Sequence, residues 1–130
     1  MDQTIIHRIR SGHVLVVNNN TFSAPHLSTR RGSQQDVMSL VRLFQGKGFV
    51  VRVEEDLTQE ETYPVINNFI TEALTSNSDM IVVAIMSHGG KSDTFYSSDS
   101  KIHYLRDVLG YVIKIRKTSS FLFFIYFIII

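Results

Sequence analysis

The sequence predicts an α/β fold with a mostly parallel sheet flanked by helices. Three observations carry that expectation. Residues 80–86, MIVVAIM, are apolar without a break and rich in Val and Ile. A run of that kind reads as a strand covered on both faces, as in parallel sheets. Short apolar runs then alternate with stripes at helical spacing, the pattern of right-handed crossovers between parallel strands. Finally, 130 residues suit one domain around one core.

The elements follow in order. Residues 1–11 read as a short arm before Gly12. Val14-Leu15-Val16-Val17 is a buried strand that stops at Asn18, Asn19 and Asn20, residues that tolerate left-handed backbone and favour turns. A polar loop follows and holds Pro25, His26, Arg30 and Arg31. Adjacent arginines are most often a solvated pair, but a guanidinium fork also matches a carboxylate. Ser33 and Asp36 have the form of a helix N-terminus, and Val37, Leu40, Val41 and Phe44 give the helix one apolar stripe. Gly46 and Gly48 close it, and residues 49–53 form a second strand rich in Val. The acidic run Glu54-Glu55-Asp56 reads as a solvated strand end.

Thr58 and Glu61 have the spacing of a capping box. Val65, Ile66, Phe69, Ile70 and Ala73 continue a helical stripe, with Pro64 awkward inside it. Proline there deletes one intrahelical hydrogen bond, so the helix either bends or begins near Pro64. After the strand at 80–86, Phe95-Tyr96 and Ile102-His103-Tyr104 form a small hairpin. Leu105, Val108, Leu109 and Val112 make a last short helix. Residues 118–130 end in an apolar tail, too short by half for a membrane span, and read as a final strand or as aberrant translation of a T-rich stretch.

Composition excludes several functions. The net charge of +1 offers no footprint for nucleic acid. Cysteine is absent, which removes disulfides, Cys-ligated zinc and a thiol nucleophile from this chain. The scattered carboxylates point to no metal site, and no cofactor is expected. The residue that draws attention is His88, in Ser87-His88-Gly89-Gly90. Open α/β sheets bind ligands at the carboxyl ends of their strands, and glycines let backbone N–H groups approach a substrate.

Taken together, an ordered set of motifs resembles the large subunit of caspases, the aspartate-directed cysteine proteases of cell death. The set runs through Asn18-Asn19-Asn20-Thr21-Phe22, Arg30-Arg31-Gly32-Ser33 with Asp36, and Leu40 with Phe44. It continues through Gly48-Phe49 with Val51, Asp56-Leu57-Thr58 with Glu61, Ser78-Asp79, and Ser87-His88-Gly89. The resemblance begins at Gly12 and fades near Val112, within an incomplete large-subunit-like domain over 12–117, and implies a caspase-like three-layer fold, here partial. It implies that His88 is the catalytic histidine and that the Gly89 N–H is half of an oxyanion hole. Arg30 is implied to grip the substrate aspartate.

The family's cysteine lies in a Gln-Ala-Cys-x-Gly motif about 50 residues beyond the histidine. Neither Cys nor that motif occurs in this sequence. Two expectations follow. In the first, the chain is part of an aspartate-specific cysteine endopeptidase, inactive by itself without the cysteine and small subunit. In the second, it is a non-catalytic decoy or regulator that binds a caspase, a substrate or an inhibitor. Implied partners are protein substrates with Asp at the cleavage site or another caspase, and an exposed sheet edge invites oligomers. The implied compartment is the cytoplasm. The short arm resembles executioner more than initiator members.

Overall fold

The computed structural model describes residues 11–116 and 128–129. The arm before residue 11 and nearly all of the apolar tail lie outside the described residues, and with them the readings made of those segments. The elements are β1 (Gly12–Asn18), α1 (Ser33–Gly46), β2 (Val50–Glu55), α2 (Gln59–Thr75), β3 (Met80–Met86), β4 (Thr94–Tyr96), β5 (Ile102–Tyr104), α3 (Leu105–Arg116) and β6 (Ile128–Ile129). The main sheet has the order β2-β1-β3-β6, and every pairing in it is parallel. The hairpin β4–β5 is antiparallel and forms a separate small sheet.

The run at residues 80–86 is buried as its composition requires. Val82, Ala84 and Met86 face one way with Val14 and Val16, and they pack against Val37, Leu40, Val41 and Phe44 of α1. Ile81, Val83 and Ile85 face the other way with Leu15 and Val17, against Ile66, Phe69, Ile70 and Ala73 of α2 and Val108 and Val112 of α3. Period two in the strands meets period 3.6 in the helices on both sides. The result is three layers, helix on sheet on helix.

The helix ends show where local rules hold. α1 closes with Gly48 at φ +82°, its N–H donating to Gln45 O, while Phe49 N–H reaches back to Phe44 O. This is a Schellman arrangement, which needs a residue that tolerates the left-handed region. At α2 the Glu61 carboxylate accepts from both the N–H and the hydroxyl of Thr58. α2 begins at Gln59 and runs on through Pro64.

Three local readings need correction. Ser33 does not cap α1: Gly32 holds the cap position at φ +85°, and the Ser33 hydroxyl is drawn inward to Asn18 and Asn20. Residues 18–20 are not a left-handed turn, since none has positive φ. Asp56 is not simply solvated, because its Oδ1 accepts the N–H groups of Asn20 (2.7 Å) and Thr21 (2.9 Å). In addition, β2 starts at Val50, one residue later than expected. Phe49 instead stacks on Phe44 (5.6 Å between ring centres) and lies over Gly12.

β2 is the edge of the described sheet, with Val50 54% exposed. Among the described residues no helix is long and apolar enough to cross a membrane.

Candidate active site

The carboxyl ends of β1 and β3 lie side by side, paired through Asn18 and Met86. The polar residues after each strand therefore meet. Asn18 and Asn19 are buried, which they can afford only because each is hydrogen-bonded. The Asn19 amide donates to Tyr96 O (3.0 Å), and its carbonyl accepts the Leu57 N–H (3.1 Å). Asn18 donates to Ser33 Oγ (3.2 Å) and accepts from Arg30 Nη1 (2.7 Å). The three asparagines thus bolt together the loops above the sheet.

Arg30 is held within this network. Its Nη1 also donates to Asn19 O (3.1 Å), and its backbone N–H donates to Asn20 O (2.9 Å). Burial lowers the pKa of the guanidinium, and the nearby Asp36 carboxylate offsets part of that. The group stays charged at neutral pH. Both side-chain bonds use Nη1, which leaves the donors on Nη2 and Nε for other acceptors. Arg31 is exposed.

His88 stands just past β3, half-buried. Its Nε2 lies 2.6 Å from Ser28 O. A carbonyl oxygen can only accept, so Nε2 carries the hydrogen and Nδ1 is the basic nitrogen of the neutral ring. The Phe22 ring sits against the imidazole, with centres 4.9 Å apart. Position and tautomer are thereby set by a loop that also carries Arg30.

Gly89 is bridged antiparallel to Phe95. The bonds of this bridge run from Tyr96 N–H to His88 O and from Gly90 N–H to Thr94 O. Gly89 is then the non-bonded member of the ladder, and its own N–H points away from β4.

A cleft of about 280 Å³ joins these parts, lined by Ser28, Thr29, Arg30, Arg31, Asp36 and His88 among others. The structure therefore brings together Arg30 and His88, 58 positions apart in the sequence (88 − 30). The Arg30 guanidinium and the oriented His88 imidazole belong to residues that line the same cleft. Such a pair can hold a carboxylate-bearing group beside a proton acceptor. Sequence reasoning missed Ser28, the packing of Phe22 on His88, and the clamp made by Asp56. Ser28 acts through its backbone carbonyl, which no side-chain pattern announces. Among the described residues no cluster of His, Asp or Glu is arranged to hold a metal ion.

A family model described as the caspase domain matches residues 11–121. The chain is 27% identical over 106 residues to caspase-10 of Homo sapiens, covering 82% of this chain and 20% of that protein. It is 32% identical over 105 residues to caspase-1 of Felis catus, covering 78% and 24%. With caspase-1 of Drosophila melanogaster the figures are 31% over 98 residues, 72% and 30%. The chain thus spans less than a third of the length of these relatives. Among solved structures, that of pro-sf-caspase-1 superimposes with a TM-score of 0.79 at 21% identity, covering 98% of this chain and 52% of that one. The crystal structure of the Drosophila initiator caspase Dronc gives a TM-score of 0.69 at 18% identity, covering 79% and 44%.

Proposed function

The chain belongs to the caspase family, and on that premise we propose that it supplies the imidazole and guanidinium half of an aspartate-directed cysteine endopeptidase. The observation that carries this reading is the single cleft lined by Arg30 and His88. In this reading Arg30 takes the carboxylate of a substrate aspartate, with Nη1 anchored and the remaining donors turned to the ligand. The Gly89 N–H, outside the β4 ladder, donates to the oxygen that becomes negative as the carbonyl is attacked. His88 takes the thiol proton at Nδ1 and passes it to the leaving amine, while Ser28 O holds Nε2.

The thiol has to come from elsewhere, because the 130 residues contain no cysteine. The chain alone should therefore bind an aspartyl peptide without cutting it. That absence also favours a second reading, in which the same cleft serves a non-catalytic decoy or regulator that occupies a caspase substrate or partner. We assign the chain to the cytoplasm on family grounds, which fractionation of expressing cells tests.

Binding tests the cleft directly. Purified chain is titrated against a labelled peptide with a central Asp and against its Asn counterpart, by fluorescence anisotropy. A charge-assisted hydrogen bond contributes about 1.5–3 kcal/mol, so the Asp peptide should bind at least about tenfold tighter. Arg30→Lys should shrink that ratio, since ammonium lacks the fork. Equal affinity for the two peptides would falsify the assignment of Arg30.

A further inference from the structure

We propose that β2 is the docking edge for a second copy of this chain, with the two β2 strands paired antiparallel about Val53. The proposal is independent of the cleft and of the function read from it.

β2 ends the order of the main sheet, and no described strand lies on its outer side. Which of its backbone groups face outward follows from the ladder. Asn18 pairs with Glu55, and the Asp56 N–H donates to Asn18 O (3.0 Å). Successive residues of a strand turn their N–H and C=O groups to opposite sides. Arg52 and Glu54 therefore bond to β1, and Val51, Val53 and Glu55 present their backbone groups to the open edge. The side chains are uncovered too: Val50 is 54% exposed and Val53 38%. β2 has no proline and no residue of positive φ, so nothing in it bends the edge away from a partner.

Charged side chains usually blunt such an edge. In β2 they have opposite signs two positions apart, Arg52 and Glu54, and that makes the edge complementary to itself. A two-fold axis at Val53 sets Val53 opposite its own copy and Val51 opposite Glu55, as hydrogen-bonded pairs. Arg52 then falls opposite Glu54 of the second copy, once on each side of the axis, in the non-bonded positions where side chains come closest. The neighbouring registers fail. An axis at Arg52 sets two guanidinium groups face to face, and an axis at Glu54 sets two carboxylates face to face. The axis at Val53 also uses the strand to its end, since Asp56, at φ +53°, turns the chain away just past Glu55.

Within one copy Arg52 Nε already donates to Glu54 Oε1 (2.8 Å), and Nη1 lies 3.8 Å from Glu72 Oε2. A guanidinium has several donors, so it can serve a second carboxylate, and the four charges then alternate in sign around the axis. The paired strands exchange about six backbone hydrogen bonds. One strand edge buries less than the ~1,600 Å² of a standard interface, so the dimer is a weak one, in the micromolar range. Antiparallel pairing sets the two Arg30 and His88 clefts at opposite ends of one continuous sheet.

Sedimentation velocity on the full chain, from low to high micromolar concentration, should show a monomer–dimer equilibrium. Arg52→Glu sets carboxylate against carboxylate on both sides of the axis and should weaken the dimer about tenfold. The double variant Arg52→Glu with Glu54→Arg exchanges the signs, and the dimer should return. The Arg52 side chain is half-exposed, so circular dichroism should show one fold in all three proteins. Because the chain has no cysteine, a single introduced thiol reports the register. A short bismaleimide should join copies of Val53→Cys, whose Cα atoms face each other at about 5.5 Å. It should not join copies of Val50→Cys, which stand about 20 Å apart across the axis. A monomer at every concentration overturns the proposal. So does a dimer indifferent to Arg52→Glu, a loss that the double variant does not restore, or cross-linking as efficient at position 50 as at position 53.

Discussion

Asn19 is the single side chain on which the loops above the sheet most depend, and its truncation should be costly. It is 1% exposed and ties two distant segments to its own. Its Oδ1 accepts the Leu57 N–H that leads into α2, and its Nδ2 donates to Tyr96 O in β4. Asn19→Ala strands the Leu57 N–H in a buried position, because Leu57 is only 4% exposed. An unsatisfied buried donor costs about 1–3 kcal/mol. The Tyr96 carbonyl suffers less, since the Ser87 hydroxyl still donates to it. Its lost bond is worth about 0.5–1.5 kcal/mol. The sum is about 1.5–4.5 kcal/mol, a large share of the ~5–15 kcal/mol that holds a typical domain together. With an m-value near 2 kcal/mol/M, the urea midpoint should fall by about 1–2 M. Amide exchange at Leu57 should accelerate with it. Asn19→Asp keeps the acceptor for Leu57 but sets a carboxylate oxygen against Tyr96 O, so it should restore the Leu57 protection and only part of the stability. An unchanged midpoint in Asn19→Ala, or a Leu57 amide still protected in the native state, refutes the reasoning.

Three further outcomes are expected. Burial lowers the pKa of His103, with Asp99 offsetting part, and the imidazole is stacked on Phe95 with Nε2 unpartnered among the described residues. The unfolded chain then binds this proton more readily, so stability is full above the ordinary histidine value of about 6.5 and is lost as pH falls below it; urea melts from about pH 8 to about pH 5 should show this, and His103→Phe should flatten that slope. Asp56→Ala removes two bonds to the Asn20 and Thr21 amides and leaves alanine at φ +53°, for a cost of about 2–4 kcal/mol, whereas Asp56→Gly should cost about 1 kcal/mol less; equal midpoints for the two would remove the backbone part of that explanation. Gly12→Ala brings a Cβ to 2.8 Å from three atoms of the Phe49 ring, an overpacking cost of about 1–3 kcal/mol that Phe49→Leu in the same chain should relieve, and purely additive losses would contradict it.

The order of elements was legible because each buried strand is a run of apolar residues and each helix has one apolar stripe. Val14, Val16, Ile81 and Val83 are buried as their runs demand. The capping box at Thr58 and Glu61 was legible because all its parts lie within one turn. What local patterns could not show were bonds between distant loops. Ser33 looks like a cap because serine usually serves its own helix, yet here two buried asparagines claim its hydroxyl. Asp56 looks solvated because its neighbours are charged, yet the amides it binds lie 35 and 36 positions away. Pro64 left two readings open, a bent helix or one that begins near it, and the capping box starts the helix before it. At the site, Arg30 and His88 were singled out by the motifs around them, and their common cleft is a product of adjacent strand ends. Ser28 contributes a carbonyl that every residue type possesses, so no reading of side chains could have marked it.

The most direct measurement supplies the missing sulfur. The chain is co-expressed with a second chain carrying both the Gln-Ala-Cys-x-Gly segment and the small subunit of a caspase, the complex is isolated, and cleavage of an aspartyl reporter peptide is followed. Hydrolysis after Asp that vanishes in His88→Ala, with the complex still assembled, is the result expected. An assembled complex that cannot cut, or that cuts equally well without the imidazole, contradicts it.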